Sequence, residues 1–262
     1  MELDPEDIEV LRRAKARLER PGLAVRLMDT LASPIEKGLA KLPRKWARIV
    51  RAATRKAIEK GLIFAVATVK GRARSRHSRA IHKAAVMTSG AAGGALGLAA
   101  LPLELPISTV IMLRSISDIA RCEGEDLNSP ETMMNCLQVF ALGGRSDKDD
   151  AAETGYYAVR AALSRAVTEA AEYISRRGLT AKGAPVLVRL ITAIASRFGI
   201  VVTEKVAAMA IPVAGAIGGG LINTIFMDHF QNIAQGHFAI RRLERLYGAD
   251  LVQGEYRKLT EN

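Results

Sequence analysis

Aromatic residues are scarce in this chain: they make up 5% of 262 residues, with a single tryptophan, Trp46. That leaves few flat faces on which unpaired bases could stack. Only two cysteines occur, Cys122 and Cys136, and they do not form a metal-spacing pair. An oxidising compartment would allow them to pair, but two thiols in a chain this long are expected to stay reduced. Asn-Gly and Asp-Gly are absent, so the strongest hairpin signal is missing. G-x-S-x-G, H-E-x-x-H, G-x-x-x-x-G-K-[ST] and G-x-G-x-x-G are absent too, which sets aside the ordinary nucleophile, zinc-protease and phosphate-loop enzymes. The opening MELDPEDIEV is acidic, with neither a basic start nor an apolar core. No secretory signal is expected, and the amino terminus is expected to remain inside the cell.

What fills the chain is Ala, Leu, Ile and Arg, with hydrophobic residues at 49%. Ala, Leu and Arg lose little side-chain freedom in a helix, so an all-α fold is predicted. Two long runs carry no charge: 84–103 between Lys83 and Glu104, and 206–227 between Lys205 and Asp228. About twenty apolar residues suffice to cross a hydrocarbon core at 1.5 Å rise per residue. Small residues recur in both runs at a spacing of four: Ser89, Gly93 and Gly97 in the first, Ala210, Ala214 and Gly218, with Gly215 and Gly219, in the second. Residues four apart share a helix face, and a stripe of small side chains lets another helix approach closely. Glycine costs about 1 kcal/mol in a helix interior relative to alanine, so packing must offset it. The expected partner of each stripe is the other. The expected architecture is a single helical bundle with two glycine-striped apolar helices at its centre. Burial within protein is weighed slightly above a bilayer span.

Capping signals divide the rest. Asp4-Pro5-Glu6 opens a helix that Pro21-Gly22 ends, and Ser33-Pro34-Ile35-Glu36 reads as a capping box. A helix is predicted over 44–70, followed by a polar tail, KGRARSRHSR, that holds His77 and carries on to His82, both read as surface residues. Pro102-Leu103-Glu104-Leu105-Pro106 reads as a sharp turn before a new helix over 107–121, on which Arg114 and Asp118 are spaced to pair. Ser129-Pro130-Glu131 opens a helix stopped by Gly143-Gly144. Asp150 and Glu153 cap another that ends at Arg176-Arg177-Gly178. The next starts near Thr180 and is interrupted near Gly199, and the last runs over 211–247 with Gly248 as its stop. Residues 1–83 form amino-terminal helices with a basic block, and 84–262 form the core, one continuous domain with what precedes it.

Charge is unevenly placed within a net +11. From Glu36 to Lys83 there are fifteen Lys or Arg against two acids, Glu36 and Glu59, whereas Glu123–Glu153 is acidic. Such a block is often only a solvated helix face. Read functionally, Arg44, Lys45, Arg48, Arg51 and Arg55 would meet an anionic membrane surface, each contributing roughly 1 kcal/mol near the headgroups. Nucleic acid is the competing partner, disfavoured because the block holds only Trp46 and Phe64 as stacking faces.

The two halves also echo each other. Ser108-Thr109-Val-Ile-Met112 matches Asn223-Thr224-Ile-Phe-Met227, pointing to a degenerate duplication of 84–121 and 211–247. The run SGAAGGALGLAALPLELPISTVIMLRSISDIARCEGEDL with NCLQVFALGGRS, and the later IPVAGAIGGGLINTIFMDHFQNIAQGHFAIRRLERLYG, resemble the central and carboxy-terminal signatures of the bacterial EcsC family. Together they cover most of residues 85–257. The resemblance implies a helical, membrane-proximal protein, and its namesake operon, which also encodes an ATP-binding-cassette transporter linked to secretion, implies a transporter partner by association alone. It carries no catalytic residues and no cofactor.

The polar residues that invite chemistry are Glu104, Asp228, His229 and His237. A carboxylate beside an apolar hairpin is costly unless paired, and His229 and His237 stand eight residues apart, about two helical turns. Glu104, His229 and His237 would suit a divalent metal such as zinc. The plainer readings are that Glu104 caps a helix or meets a buried arginine, and that the histidines are interfacial. Three functions follow: a non-catalytic accessory protein at the cytoplasmic membrane, peripheral or embedded; a metal-dependent hydrolase; or a soluble helical protein that releases an apolar hairpin into a bilayer.

Overall fold

A computed structural model describes residues 2–19, 23, 26–27, 45–69, 101–144, 155–178, 184–210 and 219–259. Within them the chain is all helical: α1 (Pro5–Leu18), α2 (Trp46–Val69), α3 (Leu101–Cys122), α4 (Pro130–Leu142), α5 (Gly155–Arg177), α6 (Pro185–Met209), α7 (Gly219–Tyr247) and α8 (Ala249–Lys258). No strand occurs among the described residues.

Three of the predicted helix ends are capped as expected, whereas Ser129 precedes α4 without a side-chain cap hydrogen bond. Asp4 accepts a hydrogen bond from the Glu6 amide at 3.0 Å, with Pro5 at the first helical position. Gly178 and Gly248 end α5 and α7 in the left-handed region, at φ 62° and 89°. Gly143-Gly144 ends α4 for a different reason. A Cβ at Gly144 would stand 2.3 Å from the Arg197 carbonyl oxygen, so α6 crosses there against bare backbone. The Arg197 side chain then donates to the carbonyls of Ala141 (3.1 Å) and Gly144 (2.7 Å), satisfying the open end of α4.

α7 is the spine. At 29 residues it is about 44 Å long, and it touches α1, α3, α4, α6 and α8. Phe226, Phe230 and Phe238 on α7 are fully buried. Phe140 of α4 and Phe198 of α6 pack with Phe230, ring centres 5.2 and 5.5 Å from it. α2 lies along α3, α6 crosses α2, and α1 docks on α7. The basic amino-terminal stretch therefore shares one apolar cluster with the rest: Leu11, Ala14, Ala57 and Ile58 belong to the same core as Phe230 and Ile240.

Several boundaries differ from expectation. α3 is continuous from Leu101 to Cys122 with Pro106 inside it, so the proline pair makes no turn. Pro106 forfeits one backbone donor, and tertiary packing that buries Glu104, Leu105, Pro106, Ser108 and Thr109 outweighs it. Asp118 pairs with Arg121, whereas Arg114 lies over the Phe64 ring at 5.8 Å. α6 passes through Gly199 unbroken, because its buried positions continue in register from Leu187 through Phe198 to Val206. α8 was not foreseen. Its buried Val252 and Tyr256 close the bundle beneath α1, where Lys15 donates to the Tyr256 carbonyl at 3.2 Å.

The stripes Ser89, Gly93, Gly97, Ala214, Gly215 and Gly218 lie outside the described residues, as do Arg44, His77, His82, Pro21-Gly22, the Ser33–Glu36 box, Asp150 and Glu153. Gly219 begins α7. The echoing segments fall on α3 and α7, which are in contact, and Met112 and Met227 are both fully buried.

Candidate functional site

The two charges that border the uncharged runs meet. Glu104, which ends the first run, lies in the first turn of α3; Lys205, which precedes the second, lies near the end of α6. The Lys205 ammonium donates to both Glu104 carboxylate oxygens, at 2.9 and 3.1 Å. Asn223 of α7 donates its amide to Glu104 Oε1 at 3.2 Å. The Lys205 side chain has 0% exposure and that of Glu104 7%, and the Phe226 ring stands over the ammonium at 4.7 Å. The pair satisfies itself through hydrogen bonds and a cation–π contact, which a buried charge requires. It also places the start of α3, the end of α6 and the start of α7 at one end of the bundle, where both uncharged runs join the described helices.

The three proposed metal ligands do not converge. Glu104 is taken by Lys205 and Asn223. His229 is buried against α4, its Nε2 2.9 Å from the Gly143 carbonyl oxygen. His237 is fully buried, its Nδ1 2.9 Å from the Tyr156 hydroxyl. Among the described residues no three His, Cys, Asp or Glu side chains are grouped to hold a metal ion. Spacing along the chain brought the histidines onto one helix, but α4 and α5 claim them separately.

His237 belongs to a polar chain between α5 and α7. Arg160 forms a bidentate pair with Glu244 at 2.7 and 2.6 Å and donates to the Tyr156 hydroxyl at 3.3 Å. Burial keeps the imidazole neutral, with Nδ1 sharing one hydrogen bond with the Tyr156 hydroxyl and Nε2 on the other side of the ring. That Nε2 finds no partner among the described residues. Burial, then the nearby charges of Arg160 and Arg241, hold the His237 pKa well below its ordinary 6.5. Desolvation pushes the Tyr156 hydroxyl up to about 12. A second clamp ties the turn after α3 to α7. Glu125 accepts from Arg241 at 2.8 Å, from Arg245, and from the Thr132 hydroxyl at 3.1 Å. Burial alone would raise this carboxyl, but the Arg241 hydrogen bond and the two guanidinium charges outweigh it and lower its pKa. These networks hold helices together. Both cysteines are free thiols, Cys122 exposed and Cys136 buried.

The exposed chemistry lies on α2. Lys45, Arg48, Arg51 and Arg55 all face solvent, as do Lys56 and Lys60. The one acid among them, Glu59, is held by Arg55 at 3.0 Å. Sequence reasoning placed the first four on a membrane-facing surface and missed the last two, although i, i+4 spacing puts Lys56 and Lys60 on one helix face. It also missed Lys205 as the partner of Glu104, for which its position before an uncharged run was the available signal. Exposed apolar side chains gather at the end where Glu104 and Lys205 meet: Leu103 (71% exposed) and Ile107 (55%) on α3, and Leu221 (41%) on α7. Of the described helices, only α6 is long and apolar enough to cross a membrane, and 39% of its most apolar window is buried in the bundle. Core helices of soluble bundles share that length and composition.

No curated protein and no solved structure matches the chain. The profile of the EcsC protein family matches residues 6–243. That span runs from the first turn of α1 to near the end of α7, and by it the chain belongs to the EcsC protein family.

Proposed function

We propose that this protein is a non-catalytic accessory protein that attaches to an anionic membrane surface through α2, at the cytoplasmic face of the inner membrane. The observation that carries the reading is the charge of that helix: five exposed cations from Arg48 to Lys60, with Lys45 just before its start, against one acid already paired within the helix. A cationic surface contributes roughly 1 kcal/mol per Lys or Arg near anionic headgroups and is screened by salt. The charged groups buried in the described bundle, Glu104, Lys205 and Glu125, are each held in an ion pair with another element, which supports a binding role over a catalytic one. A membrane-embedded transport or secretion component as partner rests on the family resemblance.

The exposed Leu103, Ile107 and Leu221 favour a second reading, in which the end of the bundle bearing the uncharged runs enters the bilayer. Extraction separates the two. Release by high salt marks attachment through charge, and a need for detergent marks insertion. For the first reading, purified protein is expected to co-sediment with vesicles containing phosphatidylglycerol and not with pure phosphatidylcholine. Arg48→Glu with Arg51→Glu is expected to weaken that binding at least about thirtyfold at low salt. Indifference to lipid charge, or to these reversals, would overturn it.

A further inference from the structure

Beside the cationic stripe of α2 the bundle is grooved. Where α6 crosses α2, a depression of about 270 Å³ is lined by Lys56, Glu59, Lys60, Leu62, Ile63, Leu187 and Ile191. The floor is apolar: Leu62, Leu187 and Ile191 are 3%, 0% and 5% exposed. Ile63 forms part of the rim and is 37% exposed. The polar side consists of Lys56 and Lys60, one helical turn apart, and neither pairs with an acid among the described residues. Glu59 is turned to other use by its 3.0 Å ion pair with Arg55.

We infer that this groove is a binding site for a single anionic phospholipid, with Lys56 and Lys60 taking the headgroup phosphate and Leu62, Ile63, Leu187 and Ile191 receiving the start of an acyl chain. The inference deepens the membrane reading above and rests on it. Charge complementarity selects an anion, since among the described residues the two ammonium groups of the groove share it with one carboxylate, Glu59, which is already paired with Arg55. The apolar lining selects an amphiphile over a free anion, because phosphate alone would leave the exposed surface of Ile63 in water. The size fits a fragment and not a whole lipid: about 270 Å³ is just below the roughly 300–1,000 Å³ of pockets that enclose a drug-sized ligand. A lipid held at its headgroup and first methylenes can keep its tails in the bilayer. Nucleic acid fits less well, as the groove offers no aromatic face for a base.

The test uses the full chain and a short-chain lipid, dihexanoyl phosphatidylglycerol, below its micelle-forming concentration, followed by titration calorimetry. Saturable one-to-one binding is expected, at least about tenfold tighter than for dihexanoyl phosphatidylcholine or inorganic phosphate. Two variants are expected to weaken it about tenfold: Lys56→Gln with Lys60→Gln, which removes the cations, and Ile63→Trp, which fills the rim while keeping every charge. Ile63 lies at the surface, and thermal melts of each variant verify folding. Absence of saturable binding to the folded protein overturns the site, as does equal affinity for phosphate, indifference to both variants, or tighter binding of an oligonucleotide that displaces the lipid. Vesicle sedimentation run alongside separates the two claims. Binding to anionic vesicles without binding of the monomeric lipid removes the groove and keeps the surface attachment, whereas failure to bind vesicles removes the attachment itself.

Discussion

A lysine with no exposed surface is stable only beside a counter-charge and enough polar atoms to replace its water. Lys205 meets that requirement through Glu104, with Asn223 completing the carboxylate. Sequence made Glu104 conspicuous as a carboxylate beside an apolar run, and a buried arginine was among its expected partners. That the cation is a lysine 101 residues away was not legible, because nothing local couples the two positions. Replacing one member should cost far more than replacing both. Lys205→Met alone is expected to destabilise the fold by about 3–5 kcal/mol, since it strands the Glu104 charge, and Lys205→Met with Glu104→Leu to recover most of that loss. Urea unfolding of the three proteins measures it. Additive effects in the double variant would show that the pair is not the unit described.

Helix ends were the most readable elements. Asp4-Pro5, Ser129-Pro130, Gly178 and Gly248 all mark real boundaries, because a cap or a proline at the first helical position acts within a few residues and hardly depends on distant contacts. The failures occurred where packing overrode local preference. Pro106 stays inside α3 and Gly199 inside α6, as both helices are held along their buried faces. Glycines that permit one helix to approach another were likewise opaque. A Cβ at Gly236 of α7 would stand 2.7 Å from Leu18 Cγ and 2.9 Å from the Ala14 carbonyl oxygen of α1. Gly236→Ala is therefore expected to push α1 off α7 and lower stability by about 1–3 kcal/mol, despite alanine's better helix propensity. Faster amide exchange in α1 than in α4 would locate the loss; a stabilised variant would contradict the close contact.

Acid stability is a property of the whole bundle. His237 is held neutral in the folded state by burial and by Arg160 and Arg241, so its folded pKa is lower than the 6.5 of the unfolded chain. The unfolded state then takes up a proton that the folded state refuses. Stability is intact above about pH 6.5 and falls by roughly 1.4 kcal/mol per pH unit as pH drops toward the folded value. Glu125 acts lower: its depressed pKa contributes stability above the ordinary 4.5 that is lost as pH falls through the folded value. His237→Gln, which keeps a hydrogen-bonding side chain beside Tyr156, is expected to flatten the dependence of melting temperature on pH between 6.5 and 5. An unchanged slope would remove His237 as its source.

Read alone, the sequence determined the all-helical class, most helix ends, the basic character of α2 and membership of the family, because periodicity, caps and charge runs are local and additive. It also exposed the two uncharged runs as the central peculiarity of the chain. Only the tertiary structure decided which groups meet. It joined Glu104 to Lys205, gave each of the three supposed metal ligands a different partner, and set Lys56 and Lys60 beside an apolar groove floored by α6. Such pairings depend on how helices cross, and crossing geometry is fixed by the fit of whole surfaces, which no short stretch of sequence contains.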